Sequence, residues 1–252
     1  MTPIKKTLFF SIGLFLFPIS AVFGGEAESY SSAITQTALH QPFYTHKSLL
    51  TIEGTEARML AFTAYNGYKP SDDKLGATIW VTLDPEIKKL CAQYVRDHQP
   101  THEQLTLWIV KLLGLPPNNA ENRRFVLLDV PVIQAYYGED SENIGIFRPC
   151  TDPRITAHPD SAESCPRIMD INDKNITSDF KTWFINNSIN AHSIDSSGAP
   201  WTEYGYTYNW NEDATDVFGV SEFVILKNTP VHIVANPDYH DSAYFSAEEY
   251  CQ

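Results

Sequence analysis

The chain has 252 residues with 31 acidic and 18 basic side chains, a formal net charge of −13. A field of that sign repels phosphate backbones and acidic headgroups, which argues against a nucleic-acid partner and against docking on anionic lipid. Hydrophobic residues make up 43% of the chain, enough for a core, and the length favours one domain.

At the start, Lys5 and Lys6 precede an apolar run of about a dozen residues that closes near Pro18 and Ser20. That run is short for a bilayer of ~30 Å, which takes ~20 apolar residues in a helix. Val22-Phe23-Gly24 supplies the modest side chains a signal peptidase reads, so residues 1–24 read as a signal peptide and 25–252 as one globular domain. Without Lys5 and Lys6 the balance is 16 basic to 31 acidic, or −15. No cysteine lies near the cut to carry a lipid, and no later stretch is apolar enough to span a membrane. The expected location is the periplasm or the cell exterior.

An oxidising compartment suits four cysteines, Cys91, Cys150, Cys165 and Cys251, paired in two disulfides. Three pairings are open. Cys150–Cys165 would close a polar, proline-containing loop, and Cys91–Cys251 would then pin the C-terminus to a helix. No Cys-x-x-Cys pair is present, and neither a metal site nor a cofactor is expected.

Residues 26–55 are polar and read as irregular, with room for one short helix. Glu56 to Tyr65 reads as a strand, and Gly76 to Leu83 alternates as a better one. Asn66-Gly67 and Lys69 to Asp73 between them are turn material. Asp84-Pro85 predicts a helix start with Asp84 as N-cap, and Ile87, Leu90, Cys91 and Tyr94 share one face. After Pro100, Thr101-His-Glu-Gln104 fits a capping box ahead of Leu105, Trp108, Ile109 and Leu112, with Gly114 past the helix end. Arg124 to Val130 reads as a strand, 138–175 as loop, and 177–187 as a helix carrying Phe180, Trp183 and Phe184. Strands follow at Glu203–Trp210, Val220–Leu226 and Val231–Ala235. Strands flanking a helical middle without regular β-α alternation give an α+β fold: one domain, a mixed or antiparallel sheet, a helical pair over about 84–113 and a later helix.

Leu113-Gly-Leu-Pro-Pro117, Phe147-Arg-Pro-Cys150 with Asp152-Pro153, Pro200-Trp-Thr202, Gly205-Tyr-Thr-Tyr208 with Trp210, Gly219-Val-Ser-Glu-Phe-Val224 and Tyr250-Cys251 occur in that order. Together they resemble a family of exported proteins of Gram-negative bacteria with no established function. The resemblance covers roughly 100–252 and implies a compartment but no mechanism.

The chemistry-bearing candidates are few. In an extended strand Tyr204, Tyr206, Tyr208 and Trp210 point to one face, with Trp201 just outside the row. Such a row is either the core face of a sheet or a platform for a sugar or a protein ligand. Glu222 lies in an apolar strand on the face of Val220 and Val224, where a buried carboxylate needs a partner or its pKa rises. Arg148 or Arg154 could be that partner, with His158 nearby in sequence; an edge strand exposing Glu222 is the simpler alternative. Arg148 itself could bind an anion bidentately, but a salt bridge holding a disulfide loop against the body is the preferred reading. His232, His240 and Asp241 cluster late without metal-binding spacing, and Ser71-Asp-Asp-Lys74 lacks the companions of an acylating serine. Three functions therefore compete: an exported binding or interaction protein (a virulence-type effector among them), a hydrolase built on carboxylates such as Glu222, and a structural protein of the envelope.

Overall fold

The computed structural model describes residues 20–39, 50, 52, 54–132, 144–150, 178–193, 198–239 and 241–252. Four long strands form its centre: β1 (Glu56–Thr63), β2 (Ile79–Leu83), β3 (Arg124–Pro131) and, later in the chain, Phe218–Ile225. Two-residue or three-residue strands border them: β4 (Ile146–Phe147), β5 (Tyr206–Tyr208), β7 (His232–Ile233) and β8 (Tyr244–Phe245), which makes Phe218–Ile225 β6. Every described pairing is antiparallel, in the order β4-β6-β2-β1-β3-β7. Each outer long strand shares its free edge between two short ones. β4 and β5 divide β6; β7 and β8 divide β3. Little backbone of the long strands is thus left unpaired at either edge.

The period-two alternation sorts side chains onto two faces. Met59, Val81, Val126, Leu128, Phe223 and Ile225 meet on one face, where the curled sheet closes on itself and on Leu75, Val231 and Ala243 from its loops. Leu60, Phe62, Phe125, Leu127 and Val220 point the other way, into a core built with helices. Those helices are α1 (Ser20–Ala38), α2 (Asp84–His98), α3 (His102–Leu112) and α5 (Ala247–Cys251). A third cluster joins Val224 and Leu226 to Phe147, Trp201 and Phe184 of α4 (Ser178–Ala191).

The helical pair follows its sequence signals. Ile87 and Cys91 of α2 are fully buried, Leu90 and Tyr94 partly so. Thr101 and Gln104 make both bonds of the capping box, and Gly114 takes the left-handed conformation (φ +66°) that ends α3. Asp84 departs from its expected role. Leu83 is the N-cap, without a side-chain bond, and Asp84 Oδ1 accepts from the Tyr250 hydroxyl at 2.8 Å. Cys91 and Cys251 are disulfide-bonded, Cα to Cα 5.3 Å, so the C-terminal helix is tied to α2 by one of the three pairings that the sequence left open. Cys150 is also disulfide-bonded. Cys165, its expected partner, lies outside the described residues, as do His158, Arg154 and residues 1–19 of the expected signal peptide.

Three expectations are corrected. Residues 26–38 are not irregular: they continue α1, which spans the expected cleavage point and buries Tyr30, Ala33, Ile34 and Thr37 at helical spacing. Glu26 pairs with Lys111 at 2.6 Å, and the Tyr30 ring meets Trp210 edge-on, which fastens α1 to the end of α3. The strand expected over Glu203–Trp210 shrinks to Tyr206–Tyr208, because Glu203 and Gly205 both have positive φ (62° and 78°) and a bulge follows Tyr206. Finally, the strand of Glu222 is no edge, since β2 pairs along one side of it and β4 and β5 along the other.

The Cys91–Cys251 bond spans 160 residues of sequence. Replacing both cysteines by alanine should lower stability by about 3–5 kcal/mol in the chain-entropy picture, read from the urea midpoint, with little change in far-ultraviolet dichroism below the transition. An unchanged midpoint would show that the clamp constrains nothing in the unfolded chain.

Candidate functional site

The helix-side face of the sheet is not covered throughout. Between the loop that ends α3 and the last turns of α4 lies a cavity of about 340 Å³. Its floor is a row across three strands, Leu60 of β1, Thr82 of β2 and Glu222 of β6, placed side by side by the register Leu60↔Thr82 and Thr82↔Glu222. Phe62, Trp80, Trp201 and Tyr208 give aromatic walls. Leu113, Gly114 and Leu115 come from the α3 loop, and Asn187, Asn190 and Ala191 from α4.

Glu222 is the chemical centre of this space. It is half-buried: protein surrounds it on the sheet side, and the cavity reaches it from the other. The Trp201 indole Nε1 donates to Oε2 at 3.1 Å. Burial pushes its pKa up to about 8, against which the Trp201 hydrogen bond and the charge of Arg148 pull downward. Near neutral pH the carboxyl is therefore mostly protonated.

Arg148 is not the salt-bridge partner that the sequence offered. It follows Phe147 in the alternation and lies on the opposite face of the sheet, 1% exposed, its guanidinium 4.3 Å above the Phe223 ring. Its Nη2 donates to the Leu50 carbonyl at 2.6 Å and Nη1 to the Gly205 carbonyl at 3.3 Å. Its stem packs so closely on Gly205 that a Cβ there would come within 2.6 Å of Arg148 Cδ. Arg148 thus locks the β4–β5 junction from behind and acts on Glu222 only through the field.

Thr82, directly opposite Glu222, is 6% exposed, and its Oγ1 has no hydrogen-bond partner. Thr207, on the same wall, is satisfied: its Oγ1 donates to the Leu112 carbonyl and accepts from the Val220 amide.

The aromatic row divides. Tyr206, Tyr208 and Trp210 are 2%, 3% and 6% exposed, so they do not form a platform open to solvent. Tyr206 packs on Phe218, Trp210 on Tyr30, and the Tyr208 hydroxyl donates to Gln36 of α1. Tyr204 is half-buried beside Cys150. Of the five aromatic candidates, Trp201 and Tyr208 line the cavity. Sequence reading passed over Trp80 and Trp183. Trp80 is 40% exposed at the cavity, stacked with Trp183 and edge-on to Trp201. The available signal was the alternation of β2, which puts Trp80 and Thr82 on the face of Glu222.

Around the cavity, α4 is tied to the Trp201 segment. Ser188 hydrogen-bonds Glu203, His192 Nδ1 lies 3.6 Å from Glu203, and His192 Nε2 meets the Trp201 carbonyl at 3.1 Å. The Ser188 hydroxyl and the His192 ring both turn to Glu203, and the His192 amide donates to the Ser188 carbonyl, so these groups clasp α4 to the Trp201 segment. His232 faces Asp129 on the far strand pair, and among the described residues no group of three His, Cys, Asp or Glu stands together as a metal set.

Because folding raises the Glu222 pKa above its unfolded value, the folded state holds an extra proton between about pH 4.5 and 8. Stability should be greatest below that window and fall as pH rises through it. Glu222→Gln removes this dependence. The variant should match wild type near pH 5 and exceed it by on the order of a few kcal/mol at pH 9, measured by urea denaturation at both pH values. A difference that does not grow with pH would place the carboxyl in water.

No family model, curated protein or solved structure matches the chain.

Proposed function

We propose that this is an exported ligand-binding protein whose ligand is a small, largely apolar molecule that lies over Glu222 with a hydrogen-bond donor turned toward the carboxyl. The observation that carries this reading is one carboxyl at the floor of a cavity whose described lining is largely apolar and aromatic, with Thr82, Thr207, Asn187 and Asn190 as its other polar side chains. Ligand sites characteristically combine apolar walls with a few placed polar groups that set orientation. Export is supported by the basic-then-apolar start of the sequence and by the Cys91–Cys251 disulfide, since such bonds persist in oxidising compartments. Among the described residues no helix is long and apolar enough to cross a membrane.

Hydrolysis fits the cavity less well. A carboxyl with a raised pKa suits general acid work. Yet the described residues lining this cavity include no second carboxylate, histidine, serine or cysteine to act as base or nucleophile.

Ligands of the cavity should raise the melting temperature and change Trp80 or Trp201 fluorescence in wild-type protein. Ala191→Phe, which places a ring into the cavity from the end of α4, should remove both responses and leave the fold intact by circular dichroism. Compounds that stabilise wild type and the Ala191→Phe variant equally would locate binding elsewhere and remove the basis of this reading.

A further inference from the structure

The cavity restricts what its ligand can be. Glu222 and Thr82 stand side by side on its floor, and the described residues that line the cavity include no cationic side chain. A buried hydroxyl with no partner destabilises the fold, a cost that a valine at position 82 would avoid. Trp80, Trp201, Tyr208 and Phe62 line the walls, and the faces of such rings attract cations electrostatically. The chain as a whole carries −13, a field that draws cations in and turns anions away.

We propose that the cavity binds a compact hydrophobic amine, its ammonium group seated on the Glu222 carboxylate and its apolar body against Trp80, Trp201 and Leu115. The proposal rests on the cavity being a ligand site and names the chemical class of that ligand. Once Glu222 is ionised, the Thr82 hydroxyl, one strand away at the same register, turns to donate to it and joins Trp201 Nε1 as a second donor. The orphan hydroxyl of the empty site is then a positioning group for the occupied one. The proton balance is simple: the carboxyl gives its proton to bulk water, the ammonium keeps its own, and no covalent bond changes.

Charged neighbours are few. Among the described residues, Arg148 just after β4 acts from behind the sheet, Glu86 of α2 accepts from the Ser221 amide, and His192 just after α4 pairs with Glu203 beyond Trp201. Tyr208 is the other titratable lining group, and burial raises its pKa away from neutrality. Glu222 therefore governs the pH response. Amine affinity should rise by up to tenfold per pH unit below about 8, level off above it, and fall when the amine loses its own proton.

The test compares 1-naphthylmethylamine with its neutral counterpart 1-naphthylmethanol by titration calorimetry at pH 7, in buffers of differing ionisation heat. The amine should bind at least about tenfold tighter and release close to one proton per molecule bound. Glu222→Gln should erase the preference for the amine and the proton release. Thr82→Val should weaken the amine several-fold, leave the alcohol unchanged, and not lower the melting temperature of the ligand-free protein. Equal affinities for the two probes, or amine binding with no proton released, overturn the amine assignment and leave the cavity as a ligand site. Binding of neither probe at millimolar concentration overturns both.

Discussion

The constraint on which this structure turns is a carboxyl in a strand that has neighbours on both sides. β6 is paired along one edge by β2 and along the other by β4 and β5. Its alternating side chains therefore point to two faces, Phe223 and Ile225 into the core on one, Val220 and Val224 into the two clusters on the other. Glu222 cannot leave the second set without a register slip that would turn every apolar residue of the strand to the wrong face. The chain leaves space over it instead, and the cavity is that space. The Trp201 indole supplies one donor, and desolvation keeps the carboxyl mostly neutral near pH 7.

Several features hold that space open. The α3 helix stops at Gly114, whose positive φ turns the chain before it would cover the floor. A Cβ at this position would approach the Tyr208 backbone to about 3.2 Å, so the residue serves both the turn and the close crossing. On the opposite side, the clasp of Ser188 and His192 with Glu203 and the Trp201 carbonyl holds α4 against the segment that carries the indole. Behind the sheet, Arg148 fixes Gly205, whose carbonyl accepts the Glu222 amide. Each wall is thus anchored by contacts that lie outside the cavity.

Much of the frame was legible in the sequence because it rests on local rules. The capping box at Thr101, the apolar stripe of α2 and the stop at Gly114 follow from spacing and residue type, and the structure contains all three; the Cys91–Cys251 pairing was one of three that the sequence left open. The α+β class with an antiparallel sheet is likewise present. β4 and β8 are two residues long and carry no periodicity, so only tertiary pairing creates them. α1 was legible only as room for one short helix, because its buried stripe is short and made partly of small or polar residues, Ala33 and Thr37 beside Tyr30 and Ile34. The aromatic alternation of 204–210 misled because two positive φ angles and a bulge break the extended backbone that the pattern assumes.

The site was legible by residue and illegible by arrangement. Glu222 stood out as a lone acid in an apolar strand, and the same reasoning applied to β2 singles out Thr82 on its Trp80–Thr82 face. What no spacing rule supplies is that β2 and β6 are neighbours in register, which turns two isolated anomalies into one polar pair. Nor does spacing show that Arg148, the obvious counter-charge, sits across the sheet. That separation decides the chemistry. An arginine beside Glu222 would have ionised it permanently and made a structural ion pair. With the guanidinium behind the sheet, the carboxyl keeps the Trp201 indole as its donor and stays mostly neutral near pH 7, and on the proposal made above a cation in the cavity would supply the adjacent counter-charge that Arg148 does not.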